Sequence, residues 1–195
     1  DDVKPLKPHT KLIPQIGLAS LLTFFGYRLG WSDSMTIDVL LTMIWLVGVT
    51  NAMNLLDNMD GLCAGVASIA TLALLVGIYP ASGPSANAIL LVMILGSSVG
   101  FLLFNVHPAS IFMGDSGALF LGLALATIGL QFPREAQATS NVLSVVAAPL
   151  LVLLIPIFDT TFVTFSRIFS GRRPSQGGRD HSSHRLVAIG LALES

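Results

Sequence analysis

The sequence predicts an all-α fold: a polytopic transmembrane helix bundle with six spans and the start of another. Three observations predict it. Of the 195 residues, 53% are hydrophobic and 11% charged, against about 25% charged in an ordinary soluble domain, and mean hydropathy is +0.77. The apolar residues gather into six runs separated by polar loops. The basic residues are divided unequally between the two sets of loops that alternating spans create.

The runs cover 12–29, 37–52, 62–79, 88–106, 118–132 and 142–168. Residues 1–11 carry three lysines, two prolines and His9, which suits an aqueous loop at a membrane surface. Pro14 interrupts the first run near its start, and Tyr27 and Trp31 suit an interfacial belt. The third run ends in the turn-forming residues 80–87. At 27 residues, the sixth run exceeds the roughly 20 that span a bilayer, so tilt or a break at Pro149 or Pro156 is expected. The chain opens on Asp1-Asp2 with no methionine and stops inside the apolar run 186–193, which is too short to span, so both ends are read as truncated. Cys63 is the single cysteine, suited to helix packing.

Alternation places loops 1–11, 53–61, 107–117 and 169–185 on one face and 30–36, 80–87 and 133–141 on the other. Eight of ten basic residues lie on or beside the first face, with Arg28 and Arg134 on the second. The positive-inside rule makes the first face cytoplasmic. All four histidines lie there too, with Asp1, Asp2, Asp57, Asp60, Asp115 and Asp180. A net charge of -1 gives no ground for a nucleic-acid partner.

Four stretches on or near that face carry polar groups that hydrocarbon would penalise. Five Asn and Asp side chains stand between the second and third runs, from Asn51 to Asp60. If the helix continues through them, Asn54, Asp57 and Asp60 stack on successive turns and can face one pocket; the alternative is a helix end with capping side chains. Phe112-Met-Gly-Asp-Ser-Gly117 sets Asp115 between glycines before a membrane run. Such a place suits phosphate oxygens bridged by magnesium, or a plain N-cap. Asp159 lies about 13 Å inside the sixth run by helical rise, either as part of a site or as a buried Asp satisfied by Thr160 and Thr161. Residues 172–185 combine four arginines with His181 and His184. That loop can close over an anionic ligand such as a diphosphate or anchor to acidic lipid. Asp1-Asp2 by itself reads equally as a solvated loop end.

Asn51-x-x-Asn54-x-x-Asp57-x-x-Asp60-Gly-Leu, the Phe112–Gly117 stretch, Pro156-Ile-Phe-Asp159 and His181-x-x-His184 resemble the motifs of the polyprenyl-phosphate N-acetylhexosamine-1-phosphate transferases, glycosyltransferase family 4. Ser183 stands where many members carry a further histidine. The resemblance implies one integral-membrane transferase domain over 1–195, multi-pass in the plasma (inner) membrane, its active face cytoplasmic. It implies transfer of a HexNAc-1-phosphate, most simply GlcNAc-1-phosphate, from a UDP-sugar to a polyprenyl phosphate, with release of UMP. Such a step serves cell-wall or surface-polysaccharide synthesis. It implies Mg2+, with Mn2+ as a substitute, held by Asp115. Asp1, Asp2, Asp57, Asp60, Asp115 and His184 are the implied catalytic residues; Asn54, Asn105, Phe112, Asp159, Arg172, Arg179, His181 and Arg185 are the implied substrate contacts. A homodimer is compatible with all of this. The rival expectations are an ion- or proton-coupled transporter built on the intramembrane Asp residues, and an inactive, binding-only homologue.

Overall fold

The computed structural model describes residues 8–135; residues 1–7 and 136–195, the expected sixth span among them, lie outside that range. Five helices follow one another: α1 (Pro8–Phe24), α2 (Met35–Leu56), α3 (Leu62–Ser82), α4 (Ala86–Asn105) and α5 (Gly114–Glu135). No strand occurs among the described residues. Helices α2 to α5 are each long and apolar enough to cross a membrane, and the chain is a multi-pass integral membrane protein.

Helices α2 to α5 are each longer than the apolar segment that predicts them, because polar first and last turns continue the backbone ladder where hydropathy falls away. The largest departure is at α1. It begins at Pro8, whose fixed φ suits the first helical position, and ends before the turn at Gly26, φ 89°. Residues 8–11 are therefore helical rather than loop, and Lys11 rides on a helix face. At 17 residues, α1 is shorter than the roughly 20 that span a bilayer.

Helix α2 packs along α5 and α3 along α4, with α1 against α2 and α3 also meeting α5. Leu46, Val49 and Met53 of α2, Leu74 and Ile78 of α3, and Leu125 and Ile128 of α5 form the centre of the core. The α2–α5 contact is close because Gly122 faces Thr50: a Cβ there would lie 2.8 Å from the Thr50 Cα and 3.1 Å from the Met53 Cβ. Small residues allow this backbone approach between membrane helices. The buried Trp45 satisfies its indole N–H on the Ala126 carbonyl of α5 at 3.0 Å. Thr50 and Thr71 return their hydroxyls to the carbonyls of Leu46 and Ala67, so these buried hydroxyls are satisfied without water. Cys63 is buried, its thiol directed at the Met53 carbonyl at 3.4 Å, as expected for a packing cysteine.

The up-and-down order brings the starts of α1, α3 and α5 and the ends of α2 and α4 to one end of the bundle. The site is built there.

Candidate active site

Helix α2 stops at Leu56; Asp57 follows with φ -77° and ψ 40°, outside the helix. Gly61, at φ 73°, takes the left-handed conformation that side chains resist and begins α3 at once. The column of Asn54, Asp57 and Asp60 expected from a continuous helix therefore does not form. Asn54 stays on the last turn of α2, Asp57 caps it, and Asp60 turns towards the α4–α5 loop. Its Oδ2 accepts from the Ala109 N–H at 3.1 Å and lies 3.1 Å from Nδ1 of His107.

Asn105, the last residue of α4, ties the two loops together. Its Oδ1 accepts from the Gly61 N–H at 3.0 Å and its Nδ2 donates to the Ile111 carbonyl at 2.8 Å. Both polar ends of the amide are thus engaged with backbone, so it acts as a strut between the loops. Asn105→Leu is expected to cost about 1–3 kcal/mol for each group it leaves unpaired, read as a lower midpoint in thermal unfolding of the purified protein. An unchanged midpoint would remove the strut assignment.

Asp115 stands in the first turn of α5. Asn54 Nδ2 donates to its Oδ1 at 2.8 Å, and the Lys11 ammonium is ion-paired with its Oδ2. Three helices far apart in sequence thus meet on one carboxylate. One turn deeper, Gln15 of α1 and Asn51 of α2 exchange side-chain hydrogen bonds, and Gln15 is buried. This second polar pair joins α1 to α2 one turn from Lys11.

Two openings adjoin Asp115. A polar cavity of about 330 Å³ is lined by Asn54, Asp57, Asp60, Asn105, Phe112 and Asp115 among others. Phe112 is 76% exposed, an aromatic face at the rim of that cavity. On the other side an apolar groove of about 400 Å³ runs between α1, α2 and α5. Lys11, Gln15 and Leu18 line it from α1, and Asp115, Leu119 and Leu123 from α5. Residues 115, 119 and 123 lie four apart on one face of α5, so the groove extends about 12 Å from the carboxylate along the helix. Its lining changes from charged to aliphatic over that length.

Among the described residues no three His, Cys, Asp or Glu side chains cluster into a closed metal cage. The anionic donors that face the polar cavity are carboxylates, those of Asp57, Asp60 and Asp115. That set fits magnesium, which takes one or two carboxylates, keeps waters and completes its shell with substrate phosphates. Lys11 already supplies a cation to Asp115.

Of the residues expected from sequence, Asn54, Asp57, Asp60, Asn105, Phe112 and Asp115 meet around the one polar cavity. Asp1, Asp2, Asp159, Arg172, Arg179, His181, His184 and Arg185 lie outside the described residues. Sequence reasoning passed over Lys11 and Gln15 as parts of the site. Their four-residue spacing on one helical face was the available signal, hidden because Lys11 was assigned to a loop.

Residues 1–132 match the family described as Glycosyl transferase family 4. The chain belongs to glycosyl transferase family 4. It is 34% identical, over 98% of its own length and 55% of the other's, to the probable undecaprenyl-phosphate N-acetylglucosaminyl 1-phosphate transferase of Bacillus subtilis (strain 168). It is also 34% identical, over 97% of its length and 53% of the other's, to the decaprenyl-phosphate N-acetylglucosaminephosphotransferase of Mycolicibacterium smegmatis. A phospho-N-acetylmuramoyl-pentapeptide-transferase of Geobacillus sp. (strain WCH70) is 41% identical over 64% of this chain and 42% of that protein. The chain spans about half the length of these family relatives.

Proposed function

We propose that this family 4 chain transfers a HexNAc-1-phosphate, in the first instance GlcNAc-1-phosphate, from a UDP-sugar to undecaprenyl or another polyprenyl phosphate, releasing UMP. One observation carries the proposal: Asp115 stands between a polar cavity and an apolar groove. A water-soluble nucleotide sugar and a bilayer-soluble lipid phosphate need two such approaches to one point. The names of the B. subtilis and M. smegmatis relatives supply the chemistry of both the lipid and the sugar.

In the polar cavity, Asn54 and Asp57 line the nucleotide's path, Phe112 stacks on uracil, and Asp60 and Asn105 hold the loops that shape it. The isoprenoid chain lies in the groove against Leu18, Leu119 and Leu123, with its phosphate near Lys11. An oxygen of the lipid phosphate attacks the sugar-bearing phosphorus in line, the bond from that phosphorus to the bridging oxygen breaks, and UMP leaves with the electron pair. Asp115, with support from Asp57, would hold Mg2+ or Mn2+, which would supply charge neutralisation for the diphosphate. Lys11 neutralises the incoming phosphate and keeps Asp115 oriented, while Asn54 fixes the other oxygen of that carboxylate. Asp1 and Asp2 are proposed to orient the lipid phosphate; Asp159, His181, His184, Arg172, Arg179 and Arg185 are proposed to meet the sugar and phosphates. The excess of Lys and Arg on this end supports its proposed position at the cytoplasmic face of the inner membrane. Asp57 and Asp60 lie in the turn after α2, at the end of the bundle and not in mid-span, which favours a surface reaction over an ion path.

The test is UMP release from UDP-GlcNAc with added undecaprenyl phosphate in membranes carrying the protein. No release from this donor or from other UDP-HexNAc donors would overturn the proposal. Leu119→Trp, which fills the groove, is expected to raise the KM for undecaprenyl phosphate about tenfold or more and leave that for the UDP-sugar unchanged. An equal rise in both would remove the lipid from the groove.

A further inference from the structure

At the opposite end of the bundle a second cavity, of about 380 Å³, opens between the α1–α2 turn and the last turn of α5. Phe25, Tyr27 and Arg28 line it on one side and Leu130, Gln131 and Glu135 on the other. Its volume falls within the roughly 300–1,000 Å³ of small-molecule sites. None of these residues belongs to the site around Asp115.

The carboxylate of Glu135 is fixed. Its Oε1 accepts from Asn87 at 2.6 Å and its Oε2 from Ser85 at 2.8 Å, while its backbone carbonyl accepts from Ser82. Asn87 also donates to Gln131 Oε1 at 2.8 Å. Each carboxylate oxygen therefore has one donor and keeps acceptor capacity towards the cavity. Across the same cavity, Arg28 makes no ion pair among the described residues. The described residues thus present a fixed anion and a guanidinium without an ion-pair partner among them to one space. Phe25, which lines the cavity, and its neighbour Phe24 are 67% and 83% exposed.

We infer that this cavity binds the headgroup of a zwitterionic, amine-bearing phospholipid from the leaflet opposite the Asp115 site, with its phosphate on Arg28 and its ammonium on Glu135. Guanidinium forks match phosphate oxygens. A fixed carboxylate lining the same cavity repels a headgroup that carries only negative charge and attracts an ammonium. The paired charges select a dipolar headgroup over an anionic one, and the exposed phenylalanines select a lipid over a soluble phosphate. The site is independent of the transferase proposal.

The test uses the purified protein in nanodiscs of equal phosphatidylethanolamine and phosphatidylglycerol, with retained lipid counted by native mass spectrometry after extraction. The wild type is expected to retain phosphatidylethanolamine preferentially. Arg28→Gln should lower that retention about tenfold, with Arg28→Lys, which keeps the charge, losing less. Glu135→Gln preserves the hydrogen bonds' geometry and should shift the preference towards phosphatidylglycerol. Thermal unfolding of each variant separates lost lipid from lost fold. Equal retention of both lipids by the wild type, or retention unchanged in Arg28→Gln, would overturn the inference. Thermal stabilisation by free phosphoethanolamine as strong as by the whole lipid would overturn its lipid source.

Discussion

Asp115→Asn is expected to lower magnesium-dependent UMP release by about 100-fold or more, the scale seen when one charge-stabilising group is removed from an active site. Asparagine has the shape of aspartate and still offers Asn54 an oxygen to replace the 2.8 Å bond to Oδ1. What it removes is the negative charge that Lys11 balances and on which the proposed magnesium ion would depend. The fold should therefore persist, and thermal unfolding of the purified variant should show a midpoint close to that of the wild type. Chelation with EDTA should silence the wild-type enzyme and added Mg2+ restore it. Activity near wild type in Asp115→Asn at saturating Mg2+ would sink the metal assignment. A phosphorylated Asp trapped without the lipid substrate would replace direct attack by a covalent route.

Gly122→Leu carries the largest expected effect on stability. Even a methyl group there meets backbone on α2, with Thr50 Cα at 2.8 Å and Thr50 O at 3.0 Å. Backbone cannot swing aside as a long side chain can, so α2 and α5 must separate. Overpacking of this kind costs about 1–3 kcal/mol, and more for a bulky side chain. The separation also pulls Trp45 from the Ala126 carbonyl and Asn54 from Asp115, bonds that cross the same interface. Gly122→Leu should yield little folded protein by size-exclusion chromatography in detergent, and Gly122→Ala a lowered thermal midpoint. Gly100→Ala is the control: among the described residues nothing lies within 4 Å of the added carbon, and alanine's better helix propensity should leave the midpoint unchanged or slightly higher. A wild-type midpoint for Gly122→Ala would show that the helices are not in contact there.

Much of the site was legible in the chain. Asn54, Asp57 and Asp115 are polar groups at the edges of apolar runs, where hydrocarbon penalises them, and alternation of the spans puts them at one end of the bundle. Sequence failed where the question was direction. Spacing suggested that Asp60 follows Asp57 around a helix, whereas the left-handed Gly61 turns Asp60 towards Ala109 and His107. Asn105 lines the polar cavity, as its expected place in the site requires, while the direction of its amide, engaged with the backbone of two loops, is set by the tertiary structure. Lys11 counted as one of several loop charges, because hydropathy cannot see a polar helical turn that Pro8 begins.

By itself, then, the sequence determined a membrane-spanning, helical chain with Asn54, Asp57, Asp60 and Asp115 collected at one end of the bundle. Its composition and the length of its apolar runs leave the backbone no other way to satisfy its hydrogen bonds in a bilayer. The tertiary structure decided which helices touch. Gly122 against Thr50 brings α5 onto α2, and that contact sets Asp115 beside Asn54, 61 positions earlier. It also sets a polar cavity and an apolar groove on either side of one carboxylate. Such pairings depend on the shapes of packed helix surfaces, and a one-dimensional pattern of polar and apolar residues carries no record of its partner.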